Sequence, residues 1–259
     1  MKRIRGRRRQ RERGWYLAGA VLATLLALGL LGSLQGRPAG AAAGKAKIPP
    51  AAYTGAGREE GSDGSWPLTL VNRWNPVPEG HEVELVAVEG GEQVDARLYG
   101  PLTEMLEAAR EGNLGQLPIV VSGYRTQEEQ REIYEDRMAQ YLEQGYSEQE
   151  AREETQRWVA VPGYSEHQLG AAVDINGATY DVYLWLQENS YRYGFIFRYP
   201  GDKTGITGTA EEVWHYRYVG VEAATEIHER GICLEEYLQE RGGQAGGLVC
   251  LLAGRAGGR

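Results

Sequence analysis

Apolar and polar positions follow three different rhythms along this chain. Residues 15–32, Trp15 to Gly32, carry no charge and are almost wholly apolar. Such a run is close to the ~20 residues that cross a bilayer core as a helix. Residues 33–65 are then rich in Gly, Ala, Pro and Ser, with few large apolar groups. That composition buries too little surface to order itself and reads as a flexible linker. A folded body is expected over 66–240, beginning at Trp66-Pro67-Leu68. Within it, Glu82 to Val88 alternates with period two, as a strand does. Leu98 to Arg110 repeats its apolar residues at helical spacing, and Pro118 to Val121 is a short β-branched run expected to be a buried strand. Thr126 with Glu129 forms a capping-box signature for a helix to about Glu143. Gly145 interrupts it, and Ser147 with Glu150 starts a second helix running to about Trp158. Ala171–Ile175, Gly194–Tyr199 and Trp214–Val219 read as strands; Tyr180–Tyr193 and Val221–Arg230 read as helices, the last one closing the body. Helices and strands do not alternate strictly, which favours an α+β class with a largely antiparallel sheet. The tail, 241–259, is Gly/Ala-rich and is expected to be disordered.

Charge sharpens the reading of the ends. Residues 1–14 hold eight Lys/Arg and one acid, Glu12. Removing them from the chain's 28 basic and 36 acidic residues leaves 20 and 35, a formal charge of −15 on the remainder. An acidic body argues against a nucleic-acid partner, since phosphate binding needs a basic face. A basic segment ahead of an apolar span instead predicts a cytoplasmic N-terminus and an exported body. A retained single-pass transmembrane anchor is the reading taken, with cleavage near Ala39-Gly40-Ala41 as the alternative. Both put the body on the extracytoplasmic side. Cys233 and Cys250 are compatible with a disulfide there and are not spaced as metal ligands.

Candidate chemistry concentrates in three short stretches: Ser122–Arg125, Ser165–Asp174 and Glu212–His215. His167 and Asp174 are seven apart with Gly170 between them, so a turn can bring both side chains to one metal, and His215 on a later strand would complete the set. Catalytic zinc takes three protein ligands of this kind and keeps a fourth position for water. A carboxylate three residues before a ligand can serve as the base for that water. On an unbent strand Glu211 rather than Glu212 would share a face with His215, and a bend before Trp214 would reverse this; the residues alone leave both open. Arg125, where a strand meets a helix start, offers a planar cationic fork for a carboxylate or developing oxyanion. Ser122 and Gln130 are polar candidates beside it. The chain is therefore expected to be a zinc hydrolase.

These stretches together resemble the VanY-type D-alanyl-D-alanine carboxypeptidases, zinc peptidases of the bacterial cell wall. The resemblance rests on Ser122-Gly123-Tyr124-Arg125-Thr126 with Gln130, on Pro162-Gly163-Tyr164-Ser165-Glu166-His167 through Asp174, on Tyr193-Gly194-Phe195 and Arg198-Tyr199-Pro200, and on Glu212-Val213-Trp214-His215 with Arg217-Tyr218-Val219-Gly220. It covers roughly Leu70 to Leu238. It implies a small antiparallel sheet flanked by helices, one Zn2+ per chain on His167, Asp174 and His215, and Glu212 as general base. It also implies that Arg125, Gln130 and Ser165 hold substrate carboxylate or carbonyl and that Trp214 lines the site. The partner implied is a peptidoglycan stem peptide, met at the outer face of a bacterial cell membrane. Where the family has Tyr-Glu-Pro-Trp-His, this chain has Glu211-Glu212-Val213-Trp214-His215. Loss of the proline is expected to relax the bend, and the extra carboxylate to raise the pKa of the base. L,D-carboxypeptidase or endopeptidase activity is the neighbouring alternative; a zinc-containing but non-catalytic wall-binding module is the alternative of another class. His81 and His228 are expected to be structural or surface residues.

Overall fold

The computed structural model describes residues 66–112 and 117–245. The basic segment, the apolar span, the linker, Cys250 and the end of the tail lie outside the described residues. Among the described residues no helix is long and apolar enough to cross a membrane.

The body opens with a two-stranded antiparallel hairpin, β1 (Leu85–Ala87) and β2 (Gln93–Asp95), followed by helix α1 (Tyr99–Gly112). Next come strand β3 (Ile119–Ser122), the helices α2 (Gln127–Glu143) and α3 (Glu148–Gln156), strand β4 (Ala172–Asn176) and helix α4 (Asp181–Asn189). Strands β5 (Phe195–Phe197) and β6 (His215–Tyr218) precede helices α5 (Val221–Arg230) and α6 (Leu234–Ala245). The main sheet has the order β3-β4-β6-β5, and every pairing in it is antiparallel. The class is α+β, with small antiparallel sheets and flanking helices.

Both capping boxes form. Thr126 and Ser147 each accept from the backbone N–H three residues on, while Glu129 and Glu150 reach back to the cap N–H. Three expectations change. The run Pro118–Val121 gives an edge strand, with Val120 buried but Ile119 exposed, because among the described residues no strand pairs with its outer side. Helix α5 does not close the body: α6 follows, and its helix runs past residue 240 into the Gly/Ala-rich stretch. The reason is visible in α6 itself, where Leu234 and Tyr237 pack with Ile227, Ala224 and Val219.

Alternation on the strands separates two faces. Val173 and Ile175 of β4, Tyr216 of β6 and Val120 of β3 pack with Leu102, Met105 and Leu106 of α1 and with Val182 and Leu186 of α4. Each such side chain contributes roughly 1.5–3 kcal/mol when fully withdrawn from water. The intervening residues, Asp174, His215 and Arg217, therefore point to the opposite face. Register then does the rest. Asp174 is paired with His215 on β6 and, past an irregularity in β3 between Val120 and Ser122, with Ser122, so three chemically active residues lie in one line across the sheet.

Candidate metal centre

His167 comes to this line from the loop before β4. Gly170 adopts a left-handed backbone (φ 76), and a Cβ there would stand 2.8 Å from Val83 Cγ1, so glycine permits both the turn and the close approach. His81 Nε2 lies 2.8 Å from the Leu169 carbonyl and pins the same turn, which is the structural role expected of it. His228 is exposed on α5 and stacks on Tyr191.

The result is a buried corner in which His167, Asp174 and His215 offer ligand atoms within 4.8 Å of one another. His167 Nε2 and His215 Nδ1 face Asp174 Oδ1 at 3.3 and 3.2 Å. Asp174 Oδ1 is buried and receives no hydrogen bond. An orphaned carboxylate oxygen is costly, and such atoms call for an explanation. A divalent cation between that oxygen and the two imidazole nitrogens supplies one, and a His2Asp set is a zinc donor set. The outer nitrogens fit as well: His167 Nδ1 is 2.8 Å from the Gly123 carbonyl, and His215 Nε2 is 3.4 Å from Glu166 Oε2. Backbone carbonyls and carboxylates in those places fix the tautomer of a metal-binding histidine. Gly123 is itself required, because a Cβ would lie 2.1 Å from the Gln93 carbonyl oxygen.

Electrostatics follow from burial and neighbours. Burial, then Arg125, push the His167 imidazole below its ordinary value, which favours the neutral ligand form. Burial opposes ionisation of Asp174, but the two imidazoles and Arg125 hold its carboxyl well below the usual range. For His215 burial works downward, yet Asp174 and Glu166 outweigh it and raise the imidazole to about 9.

Glu212 is buried, and its Oε2 lies 3.5 Å from His215 Nδ1. The bend survives without proline. Residues 212–215 form a turn in which His215 N–H donates to the Glu212 carbonyl at 3.0 Å, while Glu212 N–H donates to the Tyr199 carbonyl at 3.3 Å. Glu211 is exposed and lies over Gly201, 3.4 Å from where a Cβ would sit, so it does not share the face of His215. Burial raises the Glu212 carboxyl to about 8; His215 opposes this, and Asp174 and Glu166 are the carboxylates that add to it.

Arg125 is held by three side chains. Its Nε donates to Ser122 Oγ (2.9 Å), Nη1 to Gln130 Oε1 (3.3 Å) and Nη2 to Asp174 Oδ2 (2.8 Å). Gln130 is buried and spends its amide N–H on the Ala160 carbonyl, so both its ends are engaged within the protein. Ser165 is also buried, and its Oγ accepts the His167 N–H at 3.3 Å. Both residues thus brace Arg125 and His167. Trp214 is half-buried in the turn, and its carbonyl accepts from Ile175 N–H at 2.9 Å.

A second layer was not assigned from sequence. Glu166, Arg198 and Arg217 form a fully buried ion cluster, with Glu166 Oε1 receiving both guanidinium groups at 2.8 Å. The signal was present as Arg198 directly after the apolar strand β5 and Arg217 within β6 on the face of His215, places where a buried charge needs a partner.

The VanY family model, D-alanyl-D-alanine carboxypeptidase, matches residues 91–221. A D-alanyl-D-alanine carboxypeptidase of Enterococcus faecalis is 47% identical over 230 residues, covering 87% of this chain and 83% of its own. A mutant of the vancomycin-resistance D,D-pentapeptidase VanY from the VanB-type cassette, solved with Zn(II), is 54% identical. It superposes with a TM-score of 0.64 over 67% of this chain and 99% of that one. VanYB solved with D-alanine-D-alanine gives 0.65 at 54% identity, over 67% and 98%. With sequence and fold in agreement along the folded body, this chain belongs to the VanY family of D-alanyl-D-alanine carboxypeptidases.

Proposed function

We propose that this protein is a zinc-dependent D,D-carboxypeptidase that removes the terminal D-alanine from peptidoglycan stem peptides. The observation that carries the reading is the unbonded, buried Asp174 Oδ1 between His167 Nε2 and His215 Nδ1, with the Glu212 carboxylate beside them. Likeness to a zinc(II) complex and to a D-alanine-D-alanine complex supports the metal and the substrate class.

His167, Asp174 and His215 would hold the ion. Zinc in such a site makes water acidic near neutral pH and polarises a carbonyl. Glu212 takes a proton from the water that adds to the scissile carbonyl and returns it to the departing D-alanine nitrogen as the C–N bond breaks. Burial raises the Glu212 carboxyl, and a cation at the neighbouring corner would lower it toward the ionised form that takes the proton. Arg125, fixed by Ser122 and Gln130, directs its guanidinium at the same corner and is assigned the substrate carbonyl or C-terminal carboxylate. Trp214 is assigned to the lining of the site, and Ser165, buried with its Oγ on the His167 N–H, is assigned to holding His167 in place. The basic segment and apolar span, 1–14 and 15–32, support a single-pass anchor that keeps the enzyme at the outer face of the cell membrane, beside its substrate.

The test is product analysis by mass spectrometry. A pentapeptide stem, a tetrapeptide stem and a cross-linked muropeptide are incubated with the purified protein, with and without chelator. Loss of one alanine from the pentapeptide alone, abolished by chelator, is expected. Trimming of the tetrapeptide or cleavage of the cross-link would move the assignment to an L,D-carboxypeptidase or an endopeptidase.

A further inference from the structure

Glu235 stands on α6, beyond residues 91–221 that match the family model, yet it ends a line of charged contacts that starts at a metal-site imidazole. His215 Nε2 lies 3.4 Å from Glu166 Oε2, and Arg198 Nε donates to Glu166 Oε1 at 2.8 Å. The other end of the Arg198 guanidinium donates Nη1 and Nη2 to the two oxygens of Glu235, at 2.9 and 2.7 Å. Asn72 Nδ2 donates to Glu235 Oε1 at 3.0 Å and ties the carboxylate from a third side. The side chains of Glu166, Arg198 and Arg217 have no exposed surface. In that interior two guanidinium groups need two carboxylates, and Glu235 is the second. Without it the forked end of Arg198 is buried with no anion, and Arg198 loses the contact that fixes its direction.

We infer that Glu235 is a positioning residue of the metal site. It orients Arg198, Arg198 orients Glu166, and Glu166 receives the Nε2 proton of His215, leaving His215 Nδ1 directed at Asp174. Partners of metal-bound histidines are worth about 10–100-fold in metal affinity; Glu235 acts one step further out. This rests on the zinc-site reading above. A merely structural buried ion pair would affect stability and leave the metal geometry alone.

The test compares the full chain with Glu235→Gln and, as a control on the same helix, Glu240→Gln, an exposed residue whose carboxylate pairs with Arg230. Zinc affinity is measured by competition with a chromogenic chelator, and ligand geometry from the visible absorption of the cobalt(II)-loaded protein. Glu235→Gln is expected to weaken zinc binding about tenfold, the lower end of the range for direct partners, and to shift the cobalt bands. Glu240→Gln should match the wild type. If Glu235→Gln does not fold, Asn72→Ala loosens the same carboxylate without burying a charge and should reproduce the shift in weaker form. Wild-type affinity and an unchanged cobalt spectrum in the folded variant overturn the role of Glu235 alone. A wild-type chain that takes up neither metal overturns the site reading and this inference with it.

Discussion

Asp174 and His215 are directly opposed on β4 and β6, and the antiparallel register that pairs them brings Asp174 Oδ1 to 3.2 Å from His215 Nδ1. Opposed residues share a face with Cβ atoms about 5 Å apart, so two of the three candidate ligands are delivered by sheet pairing and one, His167, by a loop. The strand pair is held by its register, and the glycine turn that brings His167 is held by His81 on the Leu169 carbonyl and by the Gly123 carbonyl on His167 Nδ1.

Glu212 and Glu211 separate cleanly by substitution. Glu212→Gln is expected to retain zinc and lower kcat by about 10²–10⁴-fold, the usual worth of a positioned acid–base group, with little change in KM. Glu211→Gln should stay close to wild type, because its carboxylate lies over Gly201 at the surface. Steady-state kinetics on a pentapeptide stem, with metal content measured alongside, checks both.

Gly123 couples the fold to the site through its carbonyl. A Cβ at 2.1 Å from the Gln93 oxygen must displace backbone, so Gly123→Ala is expected to cost about 1–3 kcal/mol of stability. The same displacement moves the acceptor of His167 Nδ1, and zinc affinity should fall about 10–100-fold. Chemical denaturation and chelator competition read the two effects separately.

Proton competition should be visible in zinc binding. Asp174 and Glu166 raise His215 to about 9, so a proton must leave Nδ1 before a cation binds there. Below that value apparent zinc affinity should rise with pH, by about tenfold per unit for one displaced proton. Competition titrations between pH 6.5 and 8 test it, and a flat profile would contradict the assignment of His215.

Acid stability should report Glu235. Burial alone would raise its carboxyl, but Arg198 and Asn72 more than offset this and hold it below the ordinary 4.5. A depressed carboxylate contributes stability that is complete above the unfolded value and is lost as pH falls through the folded one. Tm should therefore decline below about pH 4.5, and Glu235→Gln should start lower at pH 7 and decline less steeply. Thermal melts from pH 3 to 7 measure both slopes.

Much of this was legible in the residues, for physical reasons that differ by place. Capping boxes at Thr126 and Ser147 are local, and both helices begin where those residues put them. The His167–Asp174 spacing with Gly170 between is also local, and it forms the turn expected of it. The choice between Glu211 and Glu212 came from the family motif alone and was not legible in the strand pattern, because it depends on hydrogen bonds from His215 and to Tyr199 that hold the bend without a proline. The Glu166–Arg198–Glu235 line joins residues far apart in sequence, and no spacing encodes it. Helix α6 continued into a glycine-containing stretch because Leu234 and Tyr237 anchor its start, a tertiary effect that composition does not carry.

Metal analysis of the full chain beside Asp174→Asn, both purified without chelator and equilibrated with excess zinc, tests the account most directly. One zinc per wild-type chain and essentially none in the variant is the predicted result. A correctly folded wild-type chain that holds no zinc would contradict it.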